Sequence, residues 1–135
     1  MSSSKIFKRP LQFGFLEKKK SSIALNTTVK WVKRWFVLYE DKLLYFYAKE
    51  DLDPCAVFWL KDVSAVRNGK DPRNLEIIIE HSSRVLTLRA KTAQDVEAWT
   101  KLIHTAVYKV KFESNQENVN SRNRNIVQPR PIASY

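Results

Sequence analysis

The chain has 135 residues, of which 44% are hydrophobic and 12% aromatic, and carries a net charge of +10. That length supports one proper core and excludes two, and the apolar content excludes a disordered composition. The charge points to an anionic partner, either nucleic acid or an acidic membrane surface.

The N-terminal Met1-Ser2-Ser3-Ser4-Lys5 has no apolar run of signal-peptide type. No stretch approaches the roughly 18 apolar residues that cross a bilayer. A lone cysteine, Cys55, excludes an internal disulfide framework and suits a reducing compartment. These features describe a soluble, cytosolic domain that meets any membrane from its cytosolic, water side.

Residues 1–11 read as a polar lead-in ending near Arg9-Pro10. From Gln12 to Lys19, Phe13 and Phe15 alternate against Leu16 and the charges, which predicts a strand. Ser21 to Thr28 is a loop longer than a tight hairpin needs, and so a candidate functional loop. Lys30 to Tyr39 and Leu43 to Tyr47, rich in aromatic and β-branched residues, form a second and third strand around Glu40-Asp41-Lys42. Ala56 to Leu60 and Asp62 to Arg67 make two shorter strands. After the turn-forming segment from Asn68 to Asn74, Leu75 to Glu80 and Arg84 to Arg89 form a hairpin around His81-Ser82-Ser83.

The pattern then changes period. Thr92 is a candidate N-cap, and Val96, Trp99, Ile103, Ala106, Val107 and Val110 recur at three- and four-residue steps. A helix from about Thr92 to Tyr108 is expected, its apolar face plugging the open end of the β-structure. From Glu113 onward the chain is rich in Asn, Ser, Gln and Arg, so residues 111–135 read as a tail or linker in a longer protein. The expected fold is mainly β: a seven-stranded antiparallel barrel or sandwich capped by one C-terminal helix.

Three features in this order resemble a pleckstrin homology domain over residues 12–110. They are Gly14-Phe15-Leu16-Glu17-Lys18, then Lys33-Arg34-Trp35-Phe36-Val37-Leu38 leading to Leu43-Leu44-Tyr45-Phe46, and Ala98-Trp99 in the final helix. The resemblance implies a non-catalytic module. Many members of the family bind inositol phospholipids at the open end of the barrel, between the first two strands. Lys18 matches the lysine of their binding pattern, Arg34 its arginine, and Tyr45 a third-strand tyrosine that touches a phosphate in some members. The middle basic position is Val32. Lys30, two residues earlier on the same strand face, is placed to reach over it.

The implied function is membrane targeting through phosphoinositide or other anionic headgroups, with Lys18, Lys30, Arg34 and Tyr45 as ligand-binding residues. Lys19, Lys20 and Lys33 would add diffuse attraction, worth about 1 kcal/mol per charge near an anionic surface. Ile23 and Leu25, at the tip of the first loop, are candidates for insertion into the lipid interface. The alternative, which Val32 favours, is a protein-interaction module on the same scaffold with little lipid affinity. Nucleic-acid binding is set aside, because strand alternation explains Trp31 and Trp35 as packing. No cofactor, metal or oligomer is expected. His81 and His104 lack a partner at ligand spacing, and Cys55 lacks a nearby base.

Overall fold

A computed structural model describes residues 8–20, 30–73 and 75–127, with the helix side chains described as far as Gln116. Seven strands form one sheet: β1 (Gln12–Lys19), β2 (Trp31–Leu38), β3 (Lys42–Phe46), β4 (Ala56–Trp59), β5 (Val63–Asn68), β6 (Glu76–His81) and β7 (Val85–Arg89). A single α-helix, α1 (Ala93–Val127), follows. The sheet order is β4-β3-β2-β1-β7-β6-β5, and every described pairing is antiparallel. The expected architecture is therefore present, and all seven strands fall where alternation placed them, to within about two residues at each end.

The longest pairing is β1 with β2, running from Gln12↔Leu38 to Lys19↔Trp31. Because side chains alternate, directly paired residues share a face. Leu16 and Lys18 therefore share the inner face with Arg34 and Val32, while Phe15 and Glu17 share the outer face with Trp35 and Lys33. The core gathers Leu16, Phe36, Leu38, Leu43, Phe58, Ile77, Ile79, Leu86 and Leu88 under the helix residues Val96, Trp99, Ile103 and Ala106. Seen from the helix, these four are the buried members of the expected stripe, and Val107 and Val110 pack partly buried at its edge.

The helix starts where its cap predicts. The Asp95 amide donates to the Thr92 hydroxyl at 3.1 Å and the Val96 amide to the Thr92 carbonyl at 3.1 Å. Its end differs from expectation: the helix continues through Val127 rather than stopping near Tyr108, so most of the stretch read as a tail or linker is helical. No glycine or proline interrupts Ala93–Val127. Asn and Ser cost only a few tenths of a kcal/mol each in a helix already nucleated by packing. The residues from Lys111 to Gln116 are exposed, so this continuation is polar because it leaves the core.

Candidate anion-binding site

The helix closes one end of the β-structure. Trp99 lies against the backbone of Gly14, where a Cβ would meet its Cζ2 at 3.8 Å. At about 3.4 Å per residue, Lys18 lies about 14 Å further along β1. Beyond it the Lys20 amide donates to the Lys30 carbonyl at 2.8 Å, holding the two strands together at the base of their loop. Arg34, across from Leu16, and Tyr47, just past the end of β3, reach the same region. The tight β6–β7 turn, closed by reciprocal His81–Arg84 backbone bonds of 3.0 and 3.1 Å, brings Arg84 there as well.

Each of these three cations sits over an aromatic ring. The Lys18 ammonium is 5.5 Å from the Tyr45 centroid, the Arg34 guanidinium 4.6 Å from Tyr47, and the Arg84 guanidinium 5.4 Å from Phe58. Tyr45 in turn packs between Phe36, at 5.2 Å, and Phe58, at 6.2 Å. Phe58 is held edge-on by His81 at 5.3 Å, with the imidazole fixed against Ser83 Oγ and the Trp59 carbonyl. The floor is thus a packed row of rings from β2, β3 and β4. Cations seated on ring faces gain quadrupole attraction while their charge stays available on the other side.

The charge here is unbalanced. Arg67, Arg73 and Arg89 pair with Glu80, Asp71 and Glu17 at 3.0, 3.0 and 2.8 Å. Among the described residues, Lys18, Arg34 and Arg84 have no carboxylate at ion-pair distance. Lys18 is only 7% exposed, and its hydrogen-bond partner is its neighbour's carbonyl, Lys19 O, at a long 3.5 Å. Burial holds the Lys18 ammonium below the usual lysine range, and repulsion from Arg84 and then Arg34 lowers it further, with Cys55 opposing weakly. Partly desolvated positive charge without a counter-ion is a setting that favours an incoming anion.

The sequence-predicted residues divide by position. Lys18, Arg34 and Tyr45 are brought together, although Tyr45 contributes a floor ring that is 8% exposed. Lys30, Lys19 and Lys20 are exposed around the base of the loop. Lys33 lies on the outer face with its ammonium 4.5 Å from the Phe15 ring, away from the mouth. Ile23 and Leu25 lie outside the described residues. Sequence reasoning missed Arg84 and Tyr47. A cation and a tyrosine at strand ends were visible, but nothing in the linear pattern says which turns meet. The described cavities lie elsewhere: one of about 530 Å³ beside the helix, lined by Asn68, Glu97 and His104 among others, and one of about 150 Å³ on the outer face near Lys33 and Arg89.

The fold fits one class of protein. The PH domain family model matches residues 11–108, and the chain belongs to that family. PH domains are generally non-catalytic modules. A PH domain-containing protein of Dictyostelium discoideum is 32% identical over 93 residues, covering 67% of this chain and 19% of its own length. The chain therefore spans only about a fifth of that relative. Among solved structures, the Slm1 PH domain in complex with inositol 4-phosphate superimposes with a TM-score of 0.60 at 16% identity, covering 73% of this chain and 95% of that one. The C-terminal PH domain of pleckstrin, in complex with an inositol pentakisphosphate, gives 0.61 at 23% identity, covering 76% and 99%. At these identities the structural likeness establishes the fold.

Proposed function

We propose that this PH domain targets the protein that carries it to membranes by binding phosphorylated inositol headgroups, and other anionic lipid, at the mouth between β1 and β2. One observation carries the reading: Lys18 and Arg34 share the inner face at the open end with no carboxylate partner among the described residues. Arg34 supplies a planar fork for bidentate phosphate contact and Lys18 a point charge. Lys30 and Tyr45 assist at the rim and floor, and Lys19 and Lys20 add diffuse attraction. No described helix is long and apolar enough to cross a membrane. The contact proposed here is a peripheral one, at the cytosolic face. The binding unit is residues 12–110, as a monomer, and it has no catalytic role. Two proteins of the same fold crystallised with inositol phosphates make this ligand class a reasonable one to try first.

The test is sedimentation with phosphatidylcholine vesicles that contain or lack phosphoinositides. The parent is expected to bind the phosphoinositide vesicles, and Lys18→Ala combined with Arg34→Ala is expected to lose at least tenfold in affinity. Equal binding by the double variant would place the lipid contact elsewhere.

A protein-interaction module is the second reading. It is favoured by Val32, which stands directly across from Lys18 where a further cation would strengthen phosphate contact. Amide shifts during headgroup titration separate the two readings. Shifts confined to Lys18–Arg34 support the lipid role, and unmoved spectra support the protein role.

A further inference from the structure

We propose that the outer face of the sheet over β1–β4 is a docking surface for an acidic amphipathic helix of a partner protein. This surface is separate from the mouth, and the inference stands whether or not the mouth takes headgroups.

An antiparallel sheet with one face on the core ordinarily turns polar side chains to water on the other. Here the strand register builds two apolar rows on the outer side. Phe13 pairs with Val37, Val37 with Leu44 and Leu44 with Val57. In the next row Phe15 pairs with Trp35 and Trp35 with Phe46. The rings join the rows, with the Trp35 centroid 5.6 Å from that of Phe13 and 4.8 Å from that of Phe15. Phe13, Phe15 and Val57 are exposed at 58, 47 and 38%. Val37 and Leu44 are buried yet stand outside the core cluster, so their cover comes from neighbours on this same face. A contiguous apolar patch of this kind marks an interaction surface.

The charge around the rows selects the partner. Lys33 stands directly across from Glu17, but the Glu17 carboxylate is held by Arg89 at 2.8 Å. The Lys33 ammonium lies 4.5 Å from the Phe15 centroid and the Lys49 ammonium 5.4 Å from that of Trp35. Among the described residues neither has a carboxylate at ion-pair distance. Rings flanked by uncompensated ammoniums complement apolar side chains flanked by carboxylates. A second copy of the chain would bring the same lysines together, which opposes self-docking. Nucleobases would need ring faces to stack on, and Lys33 and Lys49 already cover them. A sheet face presents side chains and no free backbone groups, so it suits the apolar stripe of a helix rather than an added strand.

The experiment uses two synthetic helical peptides with the same leucine stripe at i, i+3, i+4 and i+7, one flanked by glutamates and the other by lysines. Each is titrated into the isotope-labelled full chain and followed by amide shifts. The glutamate peptide is expected to bind saturably and at least tenfold tighter than the lysine peptide. Its shifts should cluster on Phe13–Phe15, Lys33–Val37 and Leu44–Phe46. Phe13→Thr combined with Phe15→Thr should weaken it at least tenfold while leaving binding to phosphoinositide vesicles unchanged. Lys33→Glu combined with Lys49→Glu should reverse the preference between the two peptides. All four positions are exposed and threonine suits a strand, so the variants should fold as the parent does, checked by circular dichroism. Equal affinity for the two peptides, no saturable binding of either, or shifts on another surface would overturn the inference. If the phenylalanine variant instead loses vesicle binding, the face touches lipid and the inference falls. If ultracentrifugation shows a dimer of the parent that this variant abolishes, the face belongs to self-association and the inference falls likewise. None of these outcomes bears on Lys18 and Arg34, whose own variants test the headgroup reading.

Discussion

In its proposed binding role, Lys18 sets binding against stability. An ammonium that is 7% exposed, repelled by two arginines and bonded only at 3.5 Å, works against folding. Replacing it with methionine keeps the length and removes the charge. We expect Lys18→Met to raise the thermal midpoint by about 4 °C while weakening phosphoinositide binding at least tenfold. A lower midpoint, read by calorimetry, would mean the ammonium is compensated in the folded chain.

The same group sets a pH dependence. Its folded pKa lies below the unfolded value of 10.5, so between the two the unfolded chain binds more protons and stability rises with pH across that window. The proposed anion contact needs the ammonium, so affinity should fall as pH climbs through that window. Lys18→Arg should hold its affinity there, because a guanidinium stays charged. Titrating headgroup affinity from neutral to alkaline pH checks both; a parent profile as flat as that of the arginine variant would remove Lys18 from the contact.

Among the elements, the helix and the hairpins carry different kinds of information. The start of the helix is written locally: removing the hydroxyl in Thr92→Ala leaves the Asp95 amide without its 3.1 Å acceptor and should cost about 1 kcal/mol in a denaturant titration. An unchanged midpoint would show that packing of Val96 and Trp99 alone sets the start. Gly69 tests the β5–β6 turn. A Cβ there would fall within 2.7 Å of Glu76 Cβ, so Gly69→Ala should destabilise by roughly 1–3 kcal/mol with the proposed headgroup site untouched. The strands were legible from alternation and β-branched content, but the buried face of β1 was not: Leu16 and Lys18 are buried, whereas Phe13 and Phe15 are exposed. The end of the helix was not legible, because weak helix formers such as Asn and Ser are overridden once the preceding turns are packed.

At the scale of the whole molecule, the net charge of +10 is broad, while Lys18, Arg34 and Arg84 gather at one end of the β-structure. Both parts should respond to salt, but unequally. The screening length falls from about 10 Å at 0.1 M to about 3 Å at 1 M. Binding to vesicles of simple anionic lipid should therefore drop by an order of magnitude or more over that range, whereas phosphoinositide binding at short contact distances should fall less. Parallel salt titrations on the two vesicle types measure this. Identical slopes would reduce the mouth to diffuse attraction.

The sequence alone determined the seven strands, the helix start and two of the three cations at the open end. Those properties depend on period and neighbours within a few residues, and Lys18 and Arg34 stand at matched ends of adjacent strands. Only the tertiary structure decided that β7 lies beside β1, that Phe58 and Tyr45 share one floor, and that Arg84 joins the pair. Closing the sheet makes neighbours of residues some sixty-six positions apart, such as Lys18 and Arg84. No local periodicity carries that contact, because it exists only once the strands share one core.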